Sequence, residues 1–272
     1  MAQTALVLGA GGITGVAWQL GVIIGRRERG DDLTKADLIV GTSAGAVTGA
    51  LVAAGFDPAA AAALDAPVAP GDPPMQPDFV TGARAWQLLS AGPLESLATS
   101  TELRRQIGAL ARQANVGSEE DLLASFRRRL PFTEWPDRLV VTAVDVDSGE
   151  LVSWTAASGV PLVPAVAASC AVPCLFPPIA VDGRRYMDGG VRSRTNADLA
   201  VGCDRVVILA PRMPMALRGD FAAETARLGP DTTLIEPDEA SQDAIGGSVF
   251  ATDNWDAVLQ AGVEQGLLSA AA

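Results

Sequence analysis

The fold is decided by the stretch Asp37-Leu38-Ile39-Val40-Gly41-Thr42-Ser43-Ala44-Gly45, in which a short apolar run leads directly into a Gly-x-Ser-x-Gly turn. The run predicts a buried strand over 37–40, and the residues after the turn predict a helix over 46–54. A serine on such a strand-to-helix turn is typical of a nucleophile elbow, where a Cβ at either glycine would clash. We therefore predict Ser43 as a nucleophile, with an ordinary turn and a serine near the helix N-cap as the alternative. The predicted elbow residues are Gly41, Thr42 and Gly45.

A second glycine-rich turn lies upstream, between an apolar run at Thr4–Leu8 and a helical pattern over 14–29. Together with the elbow, these segments follow the order strand–helix–strand–helix, which is typical of a parallel α/β sheet. The turn is Gly9-Ala10-Gly11-Gly12, and backbone amides in such a turn before a helix form an anion cradle. We interpret this cradle as an oxyanion hole formed by Gly11 and Gly12, with tight packing of the helix on the strand as the alternative.

The remaining patterns indicate one α/β domain over residues 1–272. Residues 57–130 carry a proline-rich segment followed by helical patterns, and we predict a helical insertion there, either a lid over a pocket or a side wall. A lid at 57–77 would favour an apolar acyl chain as the ligand. Further strands are predicted at 139–145, 151–155, 179–181, 205–210 and 232–235, and further helices at 58–64, 164–171 and 256–268.

Composition limits the classes of function. The chain has 272 residues, 49% of them hydrophobic, and a net charge of −12. This charge argues against nucleic acid as a partner, because phosphates need a basic surface, and it limits membrane-surface contact to transient encounters. No apolar run approaches the roughly 18–20 residues of a membrane span, and the N-terminus lacks the basic start of a signal peptide. We therefore expect a soluble, cytoplasmic protein, of an oligomeric state that the sequence does not indicate. The three cysteines predict buried free thiols and no disulfide framework.

The chain contains no histidine. A Ser-His-Asp triad and a histidine-based zinc site are therefore impossible. If Ser43 is a nucleophile, its proton must pass to a carboxylate, to the N-terminal amine or to Lys35, which precedes the second strand at the end opposite the elbow. A carboxylate would need partial desolvation, because its unperturbed pKa is about 3.9. One candidate is the aspartate of Asp188-Gly189-Gly190, although this pattern alone also fits a surface turn.

Four motifs, in this order and spacing, resemble those of the patatin-like phospholipase family, including its bacterial members. They are the glycine turn at 8–15, the elbow at 41–45, the segment from Ala167 through Pro178, and Asp188-Gly189-Gly190. The resemblance covers roughly residues 4–211. It implies a three-layer α/β sandwich with a mostly parallel central sheet and helices on both faces. It also implies an enzyme, a serine hydrolase that cleaves lipid ester bonds through a Ser-Asp dyad and an acyl-enzyme.

The resemblance also implies roles for single residues. By position, Ser43 would be the nucleophile and Asp188 the general base. The oxyanion hole would be formed by the amides of Gly11, Gly12 and Ala44. The substrate would be a lipid or another acyl ester, and neither a metal nor an organic cofactor is expected. Thr14 departs from the family, which usually has arginine or lysine at this position, and Ala10 replaces a usual glycine.

Two other functions stay open on the sequence. The Gly9–Gly15 turn could bind a nucleotide or dinucleotide, although the Gly-x-Gly-x-x-Gly fingerprint lacks its third glycine, where Thr14 stands. The scaffold could also be a non-catalytic module that binds acyl chains. NAD(P) or FAD would raise the thermal midpoint in the first case, and a fluorophosphonate would not label Ser43 in the second.

Overall fold

The computed structural model describes residues 3–64, 75–90, 100–211 and 225–268. Its strands are β1 (Thr4–Leu8), β2 (Leu38–Gly41), β3 (Leu139–Asp145), β4 (Leu151–Trp154), β5 (Ile179–Val181), β6 (Arg184–Asp188), β7 (Arg205–Leu209) and β8 (Asp231–Ile235). The α-helices in these ranges are α1 (Gly12–Glu28), α2 (Ala44–Ala53), α3 (Pro58–Leu64), α4 (Phe79–Ser90), α5 (Thr101–Gln113), α6 (Glu119–Arg129), α7 (Leu162–Ser169), α8 (Glu239–Ile245) and α9 (Trp255–Leu268).

The strands form one mixed sheet in the order β5-β6-β3-β2-β1-β7-β8, and β4 pairs with β3 outside this order. All neighbours in the run β3-β2-β1-β7-β8 are parallel. Strands β4 and β6 run antiparallel to β3, and β5 runs antiparallel to β6. The mostly parallel α/β sheet predicted from the sequence is therefore confirmed.

The C-terminal ends of β2 and β6 meet along one edge of β3. Gly41 at the end of β2 pairs with Val141, and Asp188 at the end of β6 pairs with Ala143, two residues further along β3. Strand β4 pairs with the same two residues of β3 from the opposite edge. Because β2 is parallel and β6 antiparallel to β3, the two strand ends point at each other. The sheet thus brings the elbow close to Asp188 although the two are far apart in sequence.

Side chains of the central strands alternate between two apolar clusters, one on each face of the sheet. In β1, Leu6 and Leu8 belong to the larger cluster, while Ala5 and Val7 belong to a smaller one on the other face. Helices α1, α2, α6, α7 and α9 contribute to the larger cluster. The second face is covered by α5 beside β3 and by the 3₁₀ turn Ala197–Ala200 beside β1. The predicted sandwich with helices on both faces is confirmed.

Helix boundaries differ from the predictions at both glycine turns. Helix α1 begins at Gly12 and α2 begins at Ala44, each two residues earlier than predicted. Apolar periodicity locates the buried face of a helix, but its first turn depends on backbone geometry that periodicity does not report. The pattern also does not predict α8, a short helix that begins where the Asp238 side chain accepts a hydrogen bond from the Ser241 N–H.

The region predicted as a helical insertion contains α3, α4, α5 and α6. Helix α3 has the predicted bounds of 58–64, and the described part of 78–130 is mostly helical, with a non-helical connection at 114–118 between α5 and α6. The proposed lid at 57–77 includes residues 65–74, which lie outside the described residues. Among the helices of the described ranges, none has the length and hydropathy that would allow it to cross a membrane.

Candidate active site

Ser43 lies in the tight turn between β2 and α2, with backbone angles of φ 54° and ψ −118°. A positive φ is uncommon for a residue with a side chain, and such strain at a strand-to-helix turn is typical of a nucleophile elbow. The turn is held on β1 by the Thr42 N–H, which donates to the Leu8 carbonyl at 3.0 Å. The structure therefore places Ser43, which is 5% exposed, on a strained turn of the predicted kind.

At Gly45, the first turn of α2 packs closely against the end of β1. A Cβ at this position would lie 1.9 Å from the Leu8 carbonyl oxygen and 2.3 Å from its carbonyl carbon. Both are backbone atoms, so neither can move without displacing β1 from its neighbours in the sheet. The second glycine of the elbow motif is therefore required by the packing of the first turn of α2 on the sheet.

We expect Gly45→Ala to lower the free energy of unfolding by more than about 3 kcal/mol, because the added methyl group overlaps the backbone of β1. Urea denaturation would measure the loss. The matched control is Gly247→Ala, since a Cβ at Gly247 meets nothing within 4 Å. Equal stability of the two variants would contradict the close approach of α2 to β1.

Asp188 ends β6 and is buried, with 4% of its surface exposed. Its Oδ1 accepts a hydrogen bond from the Gly190 N–H at 2.7 Å. Burial raises the pKa of Asp188 to about 7, and hydrogen bonding from the Ser43 side chain and the Gly190 N–H limits the rise because it favours the charged form. The burial excludes the surface turn that the Asp-Gly-Gly pattern also allowed. A carboxyl that titrates near neutral pH is well suited to accept a proton from a hydroxyl.

A buried polar network supports the elbow and the loop after Asp188. Thr42 Oγ1 and Thr142 Oγ1 are 2.8 Å apart, and the Asn196 side-chain amide donates to Thr42 Oγ1 at 3.0 Å. The same amide donates to the Gly189 carbonyl at 3.4 Å. Thr142 lies on β3 at the point where β2 and β6 meet. The network thus links three segments that carry the candidate site, and it does so without contact with solvent.

A cavity of about 520 Å³ adjoins the elbow and includes Ser43 in its wall. Most of the surrounding side chains are apolar, among them Ile13, Val16, Val47, Leu122, Phe126 and Phe250. Helix α6 and its N-cap residue Ser118 form one wall, to which they add a polar row of Ser118, Asp121, Ser125 and Arg129. The cavity has the size and the largely apolar lining of a site for a small organic ligand, which typically measures about 300–1,000 Å³. Within the predicted insertion, α6 is therefore a side wall of the cavity.

The glycine turn and the elbow both reach this cavity, because Gly12 and Ala44 line it together with Ser43. Each of these two residues begins a helix, so its N–H has no intrahelical acceptor, and within the described ranges neither N–H donates to another group. Gly11 is not a lining residue; a Cβ at Gly11 would lie 2.5 Å from Cβ of Pro211. Gly12 and Ala44 are therefore better placed than Gly11 to bind an anion beside Ser43.

The cysteines and acidic residues of the described ranges provide no metal site: no three or more such side chains are grouped so that they could hold an ion. The three cysteines are free thiols, as predicted. Cys174 and Cys203 are buried, whereas Cys170 is half-buried and lines the cavity. Burial raises the pKa of the Cys174 thiol to about 11, which keeps it protonated and unreactive.

The sequence matches the family model of the patatin-like phospholipases over residues 6–201. No curated protein matches the chain significantly. Among solved structures, VipD from Legionella pneumophila is similar with a TM-score of 0.47 and 15% identity, over 97% of this chain and 66% of VipD. The type III effector ExoU is similar with a TM-score of 0.42 and 18% identity, over 98% of this chain and 54% of ExoU. ExoU from Pseudomonas aeruginosa in complex with SpcU has the same TM-score and identity, and 53% of it is covered.

The chain thus combines a mostly parallel α/β sandwich with an elbow serine in the wall of a largely apolar cavity. The family match extends over more than half of the sequence, so the chain belongs to the patatin-like phospholipase family. It spans about two thirds of the length of VipD and about half of the length of ExoU.

Thr14 occupies the position at which the family usually has a basic residue, and it is almost fully buried. Its N–H and its hydroxyl both donate to the Val249 carbonyl, at 3.1 and 3.4 Å. The next residue, Phe250, lines the cavity. In this chain, position 14 therefore anchors a segment of the cavity wall, and an arginine there would have to displace that segment.

The sequence pattern points to Ser43 and Asp188, but Thr142 is not among the predicted site residues. The one local feature that sets Thr142 apart is that it is the only polar residue of β3 before Asp145. Such a residue is also common in strands with no functional site, because threonine favours extended structure. Only the pairing of β3 with both β2 and β6 gives this threonine its place between the two candidate residues.

Proposed function

We propose that this protein is a serine acyl hydrolase that cleaves carboxylic esters of lipids through a dyad of Ser43 and Asp188. The proposal depends above all on one observation, the placement of the Ser43 hydroxyl near the buried Asp188 carboxylate, whose charged form it favours, beside an apolar cavity. A hydroxyl within hydrogen-bond reach of a base is the arrangement that activates it as a nucleophile. The absence of histidine from the chain agrees with a carboxylate in this role.

The proposed reaction has two steps, and Asp188 is the base in both. Asp188 accepts the proton as Ser43 Oγ attacks the acyl carbonyl carbon, and the same proton then passes to the departing alcohol as the ester bond breaks. In the second step a water molecule gives a proton to Asp188 and attacks the acyl-enzyme. The Ser43 oxygen recovers that proton as the fatty acid leaves, so each cycle consumes one water and restores both side chains.

Backbone amides would stabilise the negative charge that develops on the carbonyl oxygen. Gly12 and Ala44 have N–H groups without an acceptor in the described ranges, and both line the cavity with Ser43. The N-terminal ends of α1 and α2 add partial positive charge at the same place. Loss of one such donor typically lowers kcat by about 10²–10³-fold. Gly11, the third predicted donor, would act indirectly. Its close packing against Pro211 would hold the neighbouring Gly12 in place.

The lining of the cavity supports an acyl chain as the part of the substrate that enters it. The apolar side chains contributed by α1, α2 and α6 would remove the chain from water at about 25 cal/mol per Å² of buried area. The polar row on α6 would lie beside the more polar part of the substrate. We therefore favour an amphipathic ester with one apolar chain in the cavity over a small polar ester.

The raised pKa of Asp188 sets the expected pH dependence. The carboxylate must be charged to accept the Ser43 proton, so kcat/KM should rise with pH through about 7 and level off above it. Initial rates with p-nitrophenyl butyrate between about pH 5 and 9, recorded at the isosbestic wavelength of nitrophenol, would measure the profile. An aspartate with an ordinary pKa would give a flat profile over this range, and that result would contradict the assignment of Asp188 as the base.

Turnover of a series of p-nitrophenyl esters from butyrate to palmitate tests the proposed function. We expect hydrolysis, with kcat/KM higher for chains that fill the cavity than for the shortest one. An acyl-chain binding module would bind the long-chain esters without releasing nitrophenol. A nucleotide-binding protein would instead show a higher thermal midpoint with NAD(P) or FAD. Binding without turnover, or stabilisation by a dinucleotide, would reject the proposal.

A further inference from the structure

The turn that follows α7 contacts the backbone of both members of the proposed dyad. The Ser169 hydroxyl accepts a hydrogen bond from the Ser43 N–H at 2.9 Å. Two residues later, the Ala171 carbonyl accepts a hydrogen bond from the Asp188 N–H at 3.0 Å. We call residues 169–171 the bridging turn. One short segment thus binds the main chain of the nucleophile and the main chain of the base.

The Ser43 N–H depends on Ser169 for a partner. Ser43 lies between β2 and α2, and within the described ranges its N–H donates to no carbonyl of either element. Ser169 is fully buried and Ser43 nearly so, so this hydrogen bond lies out of bulk solvent. A buried N–H without an acceptor costs on the order of 1–3 kcal/mol. Without the Ser169 hydroxyl, the strained elbow would therefore relax to find another acceptor.

We propose that Ser169 is a positioning residue, and that the bridging turn sets the distance between the Ser43 hydroxyl and the Asp188 carboxylate. This inference rests on the proposed function, since that distance matters only if the two groups exchange a proton. Cys170, between the two contacts, lines the cavity. The bridging turn therefore belongs to the cavity wall as well as to the support of the dyad.

A positioning role predicts a particular kinetic effect. Ser169 is not a lining residue of the cavity, so its loss should leave substrate binding unchanged. Misplacement of a reacting group by about 1 Å can lower the rate of the chemical step by about 10²-fold. We expect Ser169→Ala to lower kcat by about 10- to 100-fold and to leave KM within about twofold. If the role of Ser169 were only structural, its loss would lower thermal stability without lowering kcat at an unchanged KM.

The experiment compares the wild type with Ser169→Ala and Ser241→Ala. Ser241 is also fully buried, and its hydroxyl donates to Gln265 at 2.9 Å on α9, so its removal deletes one buried hydroxyl outside the candidate site. Thermal unfolding first establishes a temperature at which all three proteins are folded. The kinetic constants for a soluble acyl ester and the hydrogen–deuterium exchange of the peptide that contains Ser43 are then measured at that temperature.

We expect faster exchange at the Ser43 peptide and a lower kcat in Ser169→Ala, and neither change in Ser241→Ala. Unchanged exchange in Ser169→Ala would overturn the proposal whatever the activity, and so would faster exchange with a wild-type kcat. If the wild type neither hydrolyses esters nor reacts with a fluorophosphonate, the proposed function fails. The exchange measurement then still decides whether Ser169 holds the elbow, so the two failures are distinguishable.

Discussion

Ser43→Ala is expected to lower kcat for acyl esters by about 10⁴-fold or more, because the variant has no oxygen with which to form an acyl-enzyme. Alanine and serine both carry a Cβ and are similarly strained at a backbone φ of 54°, so the thermal midpoint of Ser43→Ala should change little. Steady-state turnover of p-nitrophenyl esters, together with a thermal unfolding curve for each protein, measures both effects.

The matched control for Ser43→Ala is Ser241→Ala, which removes a buried hydroxyl that is bonded to Gln265 on α9 and lies outside the candidate site. It should retain the activity of the wild type at a temperature where it is folded. Hydrolysis by Ser43→Ala at more than about one hundredth of the wild-type rate would show that another group carries the reaction. The elbow would then be a structural turn, as the sequence alone also allowed.

Asp188→Asn is expected to lower kcat by about 10²–10⁴-fold, the usual contribution of a positioned general base. Asparagine has nearly the same shape as aspartate, and its side-chain oxygen can still accept the hydrogen bond from the Gly190 N–H. It cannot accept a proton from Ser43 at any pH between about 5 and 9, so the rise in rate near pH 7 should also disappear. The pH profile of the residual activity measures this second effect.

The same substitution should stabilise the fold above neutral pH. Asp188 ionises near 3.8 in the unfolded chain and near about 7 in the folded one. Between these pH values the folded state keeps the Asp188 proton that the unfolded chain has lost. The free energy of unfolding therefore falls as pH rises from about 4 to about 7, and it stays low above pH 7. Asp188→Asn removes this loss and should be more stable than the wild type at about pH 8, by up to a few kcal/mol. At about pH 4 the gain should be absent.

Asp145→Asn is the control for this variant, since Asp145 is equally buried but lies at the end of β3 opposite Tyr186 and forms an ion pair with Arg184. It should keep the activity of the wild type and lose stability, because an asparagine side chain cannot keep the ion pair with Arg184. The assignment of Asp188 as a desolvated base would be contradicted if Asp188→Asn kept full activity, or if it gained no stability at about pH 8.

Most of the strands and the two central residues could be predicted because each depends on local sequence, whereas β6, which ends at Asp188, is not among the predicted strands. Strand β1 is a short apolar run before a glycine turn, and its predicted bounds of Thr4–Leu8 are confirmed. Ser43 and Asp188 lie in motifs whose order is specific enough to suggest a family, and the match over residues 6–201 confirms that family. The catalytic roles of these two residues and the cytoplasmic location stay predictions.

The supports of the site could not be predicted, because they depend on contacts between distant segments. Ser169 is the last residue of a small-residue helix, and nothing in its neighbours indicates that its hydroxyl meets the Ser43 N–H. The meeting of β2 and β6 on one edge of β3 is a property of the sheet order, which no single strand encodes. The desolvation of Asp188 follows from the meeting of these two strands, so the rise in its pKa could not be predicted from the sequence either.

The central claim is that Ser43 is a nucleophile activated by Asp188, and labelling with a fluorophosphonate tests it most directly. The reagent reacts with an activated serine and requires no knowledge of the natural substrate. We predict a label that peptide mapping places on Ser43 in the wild type, no label in Ser43→Ala, and a labelling rate lowered by about 10²–10⁴-fold in Asp188→Asn. A label on another residue, or an unchanged rate in Asp188→Asn, would contradict the dyad.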